Sequence, residues 1–393
     1  MNLELDPADL EFREGVRAFL SQKLDSTTAE RNRRGFHTTC EDKRAWTRIL
    51  AEKGWSGPAW PIEYGGPGWT DMQVMIFEEE CFLAGAPLVD QGGFKLLAPV
   101  VWTYGTEEQK RRFLEPTRRG DIFWGQGFSE PNAGSDLASL TTRAVRDGDE
   151  YVVNGHKIWT SDGHFADYIF ALVKTDPEAK SRGISFIVFD ARAPGVTIRP
   201  IVDIGEGHCL NEIFIDDVRV PAGNLIGEEN RGWSYGKFLL DNERAYSAEV
   251  PRNKLALARL KTIAAKQQDD GRRLIDDPVF ASRMAQLEAE LAALEYQTLR
   301  ALSDKHRGTA LPIGSILKIR GSELIQKIGE MQIEALGEFG CVVYPELRCT
   351  EAPPGPDYAH GVLADFMYRR STTIYGGTNE IQRTIIAKSF LGL

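Results

Sequence analysis

The chain has 393 residues, 42% hydrophobic and 26% charged, enough to bury a substantial core in two or three structural units. Its net charge of −10, with no long Lys/Arg block, argues against a nucleic-acid or anionic-membrane surface; with no basic-then-apolar leader and no long apolar run, a cytoplasmic protein without a membrane span is expected. Five cysteines (Cys40, Cys81, Cys209, Cys341, Cys349) form no CxxC pair and six scattered histidines form no ligand cluster, so reduced thiols and no metal site are expected.

In chain order, the first third reads as helical. Phe12, Val16, Phe19 and Leu20 share one face, Ala45, Ile49 and Leu50 follow, a Gly/Pro-rich break runs from Gly54 to Gly68, and helix resumes over Met72 to Leu83. Near residue 121 the period changes to two: Thr141-Arg143-Val145, Tyr151-Val153, Lys157-Trp159 and Ile184-Phe186-Val188 alternate, with Asp147-Gly148 and Asn154-Gly155 as hairpin turns. From about Gly232 helical spacing returns through Leu260, Ile263, Leu287, Leu291, Ile319 and Ile328, as in a bundle. Helices, then strands, then helices predict an α+β protein with units 1–120, 121–231 and 232–393.

Several short strings stand out. Gly125-Gln126-Gly127 completes no GxGxxG and opens no helix, so a Rossmann site is rejected; the stretch reads as a loop leaving a strand. Trp159, in a strand pattern, reads on its own as a core residue. Thr378 is a good N-cap for a helix from Ile381 to Phe390, Gly376-Gly377 permit a tight turn before it, and helix N-termini attract anions. Asn242-Glu243-Arg244 reads, in isolation, as a solvated helix face.

Four strings together, Tyr104-Gly105-Thr106-Glu107-Glu108-Gln109-Lys110, Phe128-Ser129-Glu130-Pro131-Asn132-Ala133-Gly134-Ser135-Asp136, Asn154-Gly155-His156-Lys157-Ile158-Trp159-Thr160-Ser161 and Tyr375-Gly376-Gly377-Thr378-Asn379-Glu380-Ile381-Gln382-Arg383, resemble the acyl-CoA dehydrogenase family of flavoproteins over nearly the whole chain. The resemblance implies an N-terminal helical domain, a middle antiparallel β domain and a C-terminal four-helix bundle. It implies FAD as cofactor, with Gln126, Phe128, Ser129, Trp159 and Ser161 at the flavin ring and Thr378 and Glu380 near its diphosphate and ribose. Ser135 would meet the pantetheine of CoA, and Arg244 and Tyr375 the substrate. Many members carry a catalytic glutamate directly after the terminal tyrosine, where this chain has Gly376. A branch resembling isovaleryl- and long-chain acyl-CoA dehydrogenases carries its base just before an arginine on an earlier helix, which points to Glu243; Gly376 would keep a role through its backbone N–H at the thioester carbonyl.

The reaction so implied is α,β-dehydrogenation to a trans-2-enoyl-CoA, with electrons passed to an electron-transfer flavoprotein. The alternatives are an oxidase using oxygen and a non-catalytic partner subunit. Homotetrameric members also carry an Arg-x-x-Phe-Gly string and a Gln-x-x-Gly-Gly string that reach a neighbour's FAD. Here those regions read Leu260 to Gln267 and Glu334 to Gly340, with Glu334 and Glu338 as repelling carboxylates. That pattern resembles the large subunits of α2β2 dehydrogenases acting on pimeloyl-CoA or steroid-derived CoA esters and predicts a hetero-oligomer with a homologous subunit, a homotetramer or homodimer being the alternative.

Overall fold

The computed structural model describes residues 5–35, 38–244, 248–302, 313–343 and 355–393; the side chains of 241–244 and 391 lie outside that description. Six helices come first: α1 (Pro7–Lys23), α2 (Ser26–Arg33), α3 (Cys40–Lys53), α4 (Asp71–Ala84), α5 (Ala98–Tyr104) and α6 (Glu107–Arg119). Side-chain oxygens cap them as their sequences dictate. Thr106 and Gln109 form a reciprocal capping box at the start of α6, and the Gln109 amide then donates to the carbonyls of Gly223 and Leu225, both at 2.8 Å. The Tyr104–Lys110 string thus fastens a helix to the exit of the sheet.

Seven strands follow: β1 (Trp124–Gly127), β2 (Arg143–Asp147), β3 (Glu150–Ser161), β4 (Tyr168–Lys174), β5 (Ile184–Asp190), β6 (Val196–Ile201) and β7 (Leu210–Pro221). They form one sheet in the order β1-β4-β2-β3-β7-β6, with β5 also on β4. Most pairings are antiparallel, but β1–β4 and the single-residue β2–β4 pairing are parallel. β4 is covered on both faces: Phe170 and Leu172 pack toward α5, α6 and the helix after the sheet, while Ile169, Ala171 and Val173 pack into the opposite core. Asp147-Gly148 makes the expected β2–β3 turn. Asn154-Gly155 does not turn. It forms a bulge within β3, where the register with β7 shifts between Val153 and Gly155 and the Asn154 amide bonds both the backbone and the carboxylate of Asp217, each at 2.9 Å. Pairing with a distant strand overrides the local turn signal.

The last part is helical again: α7 (Gly232–Arg244), α8 (Val250–Lys266), α9 (Pro278–Leu302), α10 (Ile313–Leu336), α11 (Val362–Arg369) and α12 (Asn379–Ile386), with a minor hairpin, Gln268–Asp269 against Arg272–Arg273, between α8 and α9. α10 lies at the centre, packed on α8, α9, α11 and α12, around Leu257, Leu260, Ile263, Leu287, Leu291 and Ile328. Among the described residues no helix is long and apolar enough to cross a membrane.

Candidate active site

Between the N-terminal helices, the β1–β3 side of the sheet, the loop at 203–209 and helices α8 and α11 lies a cavity of about 1030 Å³. Gln126, Trp159, Ser161 and Tyr375, drawn from three separate strings of the sequence, all line it.

Trp159 is not a core residue. Its backbone is left-handed at φ 65° and its side chain lies in the open, the residue being 55% exposed, at a second bulge of β3 where the register with β7 slips between Lys157 and Thr160. An L-residue holds that conformation at a cost of about 1–2 kcal/mol, so the fold around it must impose the conformation.

What imposes it is a set of bonds between the Gln126–Glu130 stretch and β3. The Thr160 hydroxyl donates to the Gln126 carbonyl at 3.0 Å, and the Ile158 N–H donates to Ser129 O at 2.9 Å. Lys157, fully buried, donates to Glu130 at 2.8 Å, Leu172 O at 2.8 Å and Phe128 O at 3.2 Å. Three acceptors match the three protons of an ammonium group. Glu130, itself buried, receives five donors: Lys157 and the N–H and hydroxyl groups of Thr141 and Thr142. Burial would raise its carboxyl, but the Lys157 charge and these donors outweigh burial and hold it at about 2. Burial pulls Lys157 down to about 8, the opposite of what an ion pair alone would do; the donor and acceptor count nevertheless fits a charged pair.

The remaining sequence-selected residues are distributed as follows. The Phe128 ring is buried edge-on against Phe170 and Phe186, so only its backbone is left to meet a ligand. Ser129 is half-buried and Ser135 exposed, and neither lines this cavity. The Tyr375 hydroxyl lies 3.5 Å from Glu249 and is pushed up to about 12 by withdrawal from water and then by that carboxylate, although the residue as a whole is 41% exposed at the cavity mouth. Gly376 and Gly377 have φ of 64° and 79°, and the Gln382 amide donates to both their carbonyls, at 3.2 and 3.3 Å. Among the described residues the Gly376 N–H meets no protein acceptor. Thr378 caps α12 by accepting the Ile381 N–H at 3.2 Å; exposed Glu380 has its carboxyl lowered by its own N–H and then by the Thr378 hydroxyl. Glu243 and Arg244 fall in the last turn of α7, their side chains outside the described residues.

Other cavity residues carried no sequence signal. His164 and His208 pack with ring centroids 4.2 Å apart and planes tilted by 30°, and buried Asn211 bridges them, at 3.3 Å and 3.0 Å, while donating to Thr160 O at 3.0 Å. Burial and then His208 lower His164, which favours its neutral form. Asp90 also lines the cavity. Only the adjacent Gly92-Gly93 hinted that something must approach closely there. Glu334, expected to repel a cofactor, is gripped at both oxygens by Arg283, at 2.6 Å each, so much of its charge is compensated within the chain; Glu338 is exposed.

The arrangement suits a flat, partly polar ring system at Trp159, Gln126 and Ser161, with a second ligand portion running along the helical wall. Comparison with known proteins agrees. The chain matches the acyl-CoA dehydrogenase N-terminal domain over residues 6–121, the middle domain over 125–218 and the C-terminal domain over 230–391. It is 34% identical to the acyl-CoA dehydrogenase IpdE1 of Mycobacterium tuberculosis, covering 98% of this chain and 97% of that protein. It superimposes on a chain of the ChsE4-ChsE5 complex from Mycobacterium tuberculosis with TM-score 0.85 at 32% identity, covering 100% of this chain and 99% of that one. The Tcur3481-Tcur3483 steroid ACAD gives TM-score 0.86 at 31% identity, again covering 100% and 99%. Motifs, fold, cavity and relatives converge: the chain belongs to the acyl-CoA dehydrogenase family, oxidoreductases acting on acyl-CoA.

Proposed function

We propose that this protein removes the α proton and β hydrogen of an acyl-CoA thioester to give the trans-2-enoyl-CoA, with Glu243 as the base. The observation that carries the reading is the meeting of Gln126, Trp159, Ser161 and Tyr375 in one cavity. Their partners fit FAD: an open indole face held by a bulge, a strand edge locked by buried bonds, and two left-handed glycines ahead of a capped helix N-terminus. When bound, FAD supplies the acceptor for the β hydrogen. Gln126, Ser129 and Ser161, with the Phe128 backbone, would hold its ring, Trp159 would cover it, and Thr378 and Glu380 would meet the diphosphate and ribose. The Gly376 N–H would polarise the thioester carbonyl, Ser135 would bind pantetheine, and Arg244 and Tyr375 would border the acyl group. The segments 1–120, 121–231 and 232–393 serve as working domain boundaries.

The relatives' ChsE4-ChsE5 and Tcur3481-Tcur3483 pairs support a heteromer with a homologous subunit. An electron-transfer flavoprotein would take up the electrons. The test is Glu243→Gln: it should keep its flavin yet reduce it with substrate about 10²- to 10⁴-fold more slowly, followed as flavin bleaching in stopped flow. Bleaching at the wild-type rate would remove Glu243 from the role.

A further inference from the structure

Tyr375 brings the chain to the cavity mouth, and the two residues after it are those least able to hold a shape of their own: Gly376 and Gly377, at φ 64° and 79°, have the widest choice of backbone conformations. Both are exposed, so water could satisfy their carbonyls, yet a buried side chain does so instead. Gln382, 1% exposed on the first turn of α12, folds back and donates from Nε2 to Gly376 O at 3.2 Å and to Gly377 O at 3.3 Å. The approach is close: a Cβ on Gly377 would lie 2.7 Å from that nitrogen. Gln382 Oε1 is buried and meets no donor among the described residues, so the two carbonyls decide which way the amide faces. The glutamine is itself held. Its N–H donates to Thr378 O at 2.9 Å, and at the start of the same helix buried Asn379 Oδ1 accepts from Lys318 at 3.0 Å and Ser322 at 3.3 Å, both on central α10. On the other side of the turn the Tyr375 N–H donates to Ser371 O at 3.0 Å. The Tyr375–Gly376 peptide thus hangs between two fixed points, and its own N–H meets no protein acceptor among the described residues.

Resting on the acyl-CoA reading above, we infer that Gln382 is a positioning residue: by gripping both glycine carbonyls it fixes the turn that aims the Gly376 N–H at the thioester carbonyl. It acts through Gly376 and touches no reacting atom. Two exposed carbonyls have no need of a buried amide for their own solvation, so what the two bonds add is a fixed orientation of the turn. Released, the glycine pair would spread over many conformations, and a misplacement of about 1 Å at a reacting group lowers a rate by about 10²-fold.

The test uses the flavin-loaded enzyme with its partner subunit and trans-4-dimethylaminocinnamoyl-CoA, an enoyl thioester that cannot be dehydrogenated further. Its amine pushes electrons toward the thioester oxygen, so its absorbance moves to the red when a donor holds that oxygen. Wild type should shift the spectrum on binding. Gln382→Met, of similar length and without a donor, should keep its flavin and bind the ester within about threefold of wild type, yet lose most of the red shift. Gln382→Asn keeps an amide but is one methylene too short to reach both carbonyls, and it should fall between the two. A full red shift in Gln382→Met would leave the Gly376 role standing and remove Gln382 from it. A wild-type spectrum that does not move would remove the Gly376 role, and the inference with it. Loss of flavin from both variants would make Gln382 a structural support and overturn the proposal. Bleaching of the flavin by saturated acyl-CoAs from butanoyl to hexadecanoyl reports separately on dehydrogenation, so either idea can fail alone.

Discussion

Trp159 shows how much a single residue discloses once its backbone is known. A buried tryptophan cut down to a small residue costs about 3–5 kcal/mol. Trp159 is open to solvent and left-handed, so Trp159→Gly relieves backbone strain and empties no core. The flavin-free variant should therefore melt within a few degrees of wild type or above it, while flavin affinity falls by tenfold or more. Calorimetry of the apoprotein and the flavin absorbance retained after gel filtration check the two halves. A fall in melting temperature beyond about 10 °C would return the ring to a structural role. Its sequence position could not announce this, because the alternation that makes residue 159 look inward is reversed by a bulge whose register is set by β7, some fifty residues on.

Among the elements, the lacing of the Gln126–Glu130 stretch to β3 governs the site. Lys157→Met would strand the buried Glu130 carboxylate, at a cost of about 3–5 kcal/mol, and Glu130→Gln in the same chain should recover much of it. The pH dependence has a definite sign. Glu130 sits at about 2 in the folded protein, below its unfolded value, so its contribution is present above about pH 4 and is lost as pH falls toward 2. The gap between wild type and Lys157→Met, read from urea unfolding, should narrow below pH 4; a constant gap would argue against an ionised pair. Period and caps revealed much at this scale: the helical thirds, the Asp147-Gly148 turn and the Thr378 cap were all legible. The Glu130–Lys157 pair, 27 residues apart, was not, because a buried ion pair leaves no local spacing; nor was the Asn154-Gly155 bulge, whose turn chemistry is the same whether or not β7 lies alongside.

For the molecule as a whole, the proposed heteromer turns on a second chain completing the proposed flavin site. Glu334 is paired with Arg283 through both oxygens, so the case for a partner leans on the missing Arg-x-x-Phe-Gly string and on relatives found as pairs of different chains. Purified alone, the protein should hold well under one FAD per chain, and with a homologous partner one FAD per pair, as read by flavin absorbance against mass from light scattering. A homotetramer with a full flavin in every subunit would overturn the heteromer.

The same lacing has an evolutionary side. The residues that shape the proposed ring site on the sheet are bonded largely among themselves between Gln126 and Leu172, whereas one wall of the cavity comes from helices and turns before residue 100, and Asp90 to Trp124 is one of the seams where they meet. Substitutions at separated sites that share no partner add nearly independently. Away from Asp90 and Gly93, which hold Trp124, cavity-lining positions such as Leu88 and Leu96 share no bond with the sheet, and a directed library confined to them should vary the proposed acyl wall while leaving the lacing of the ring site in place.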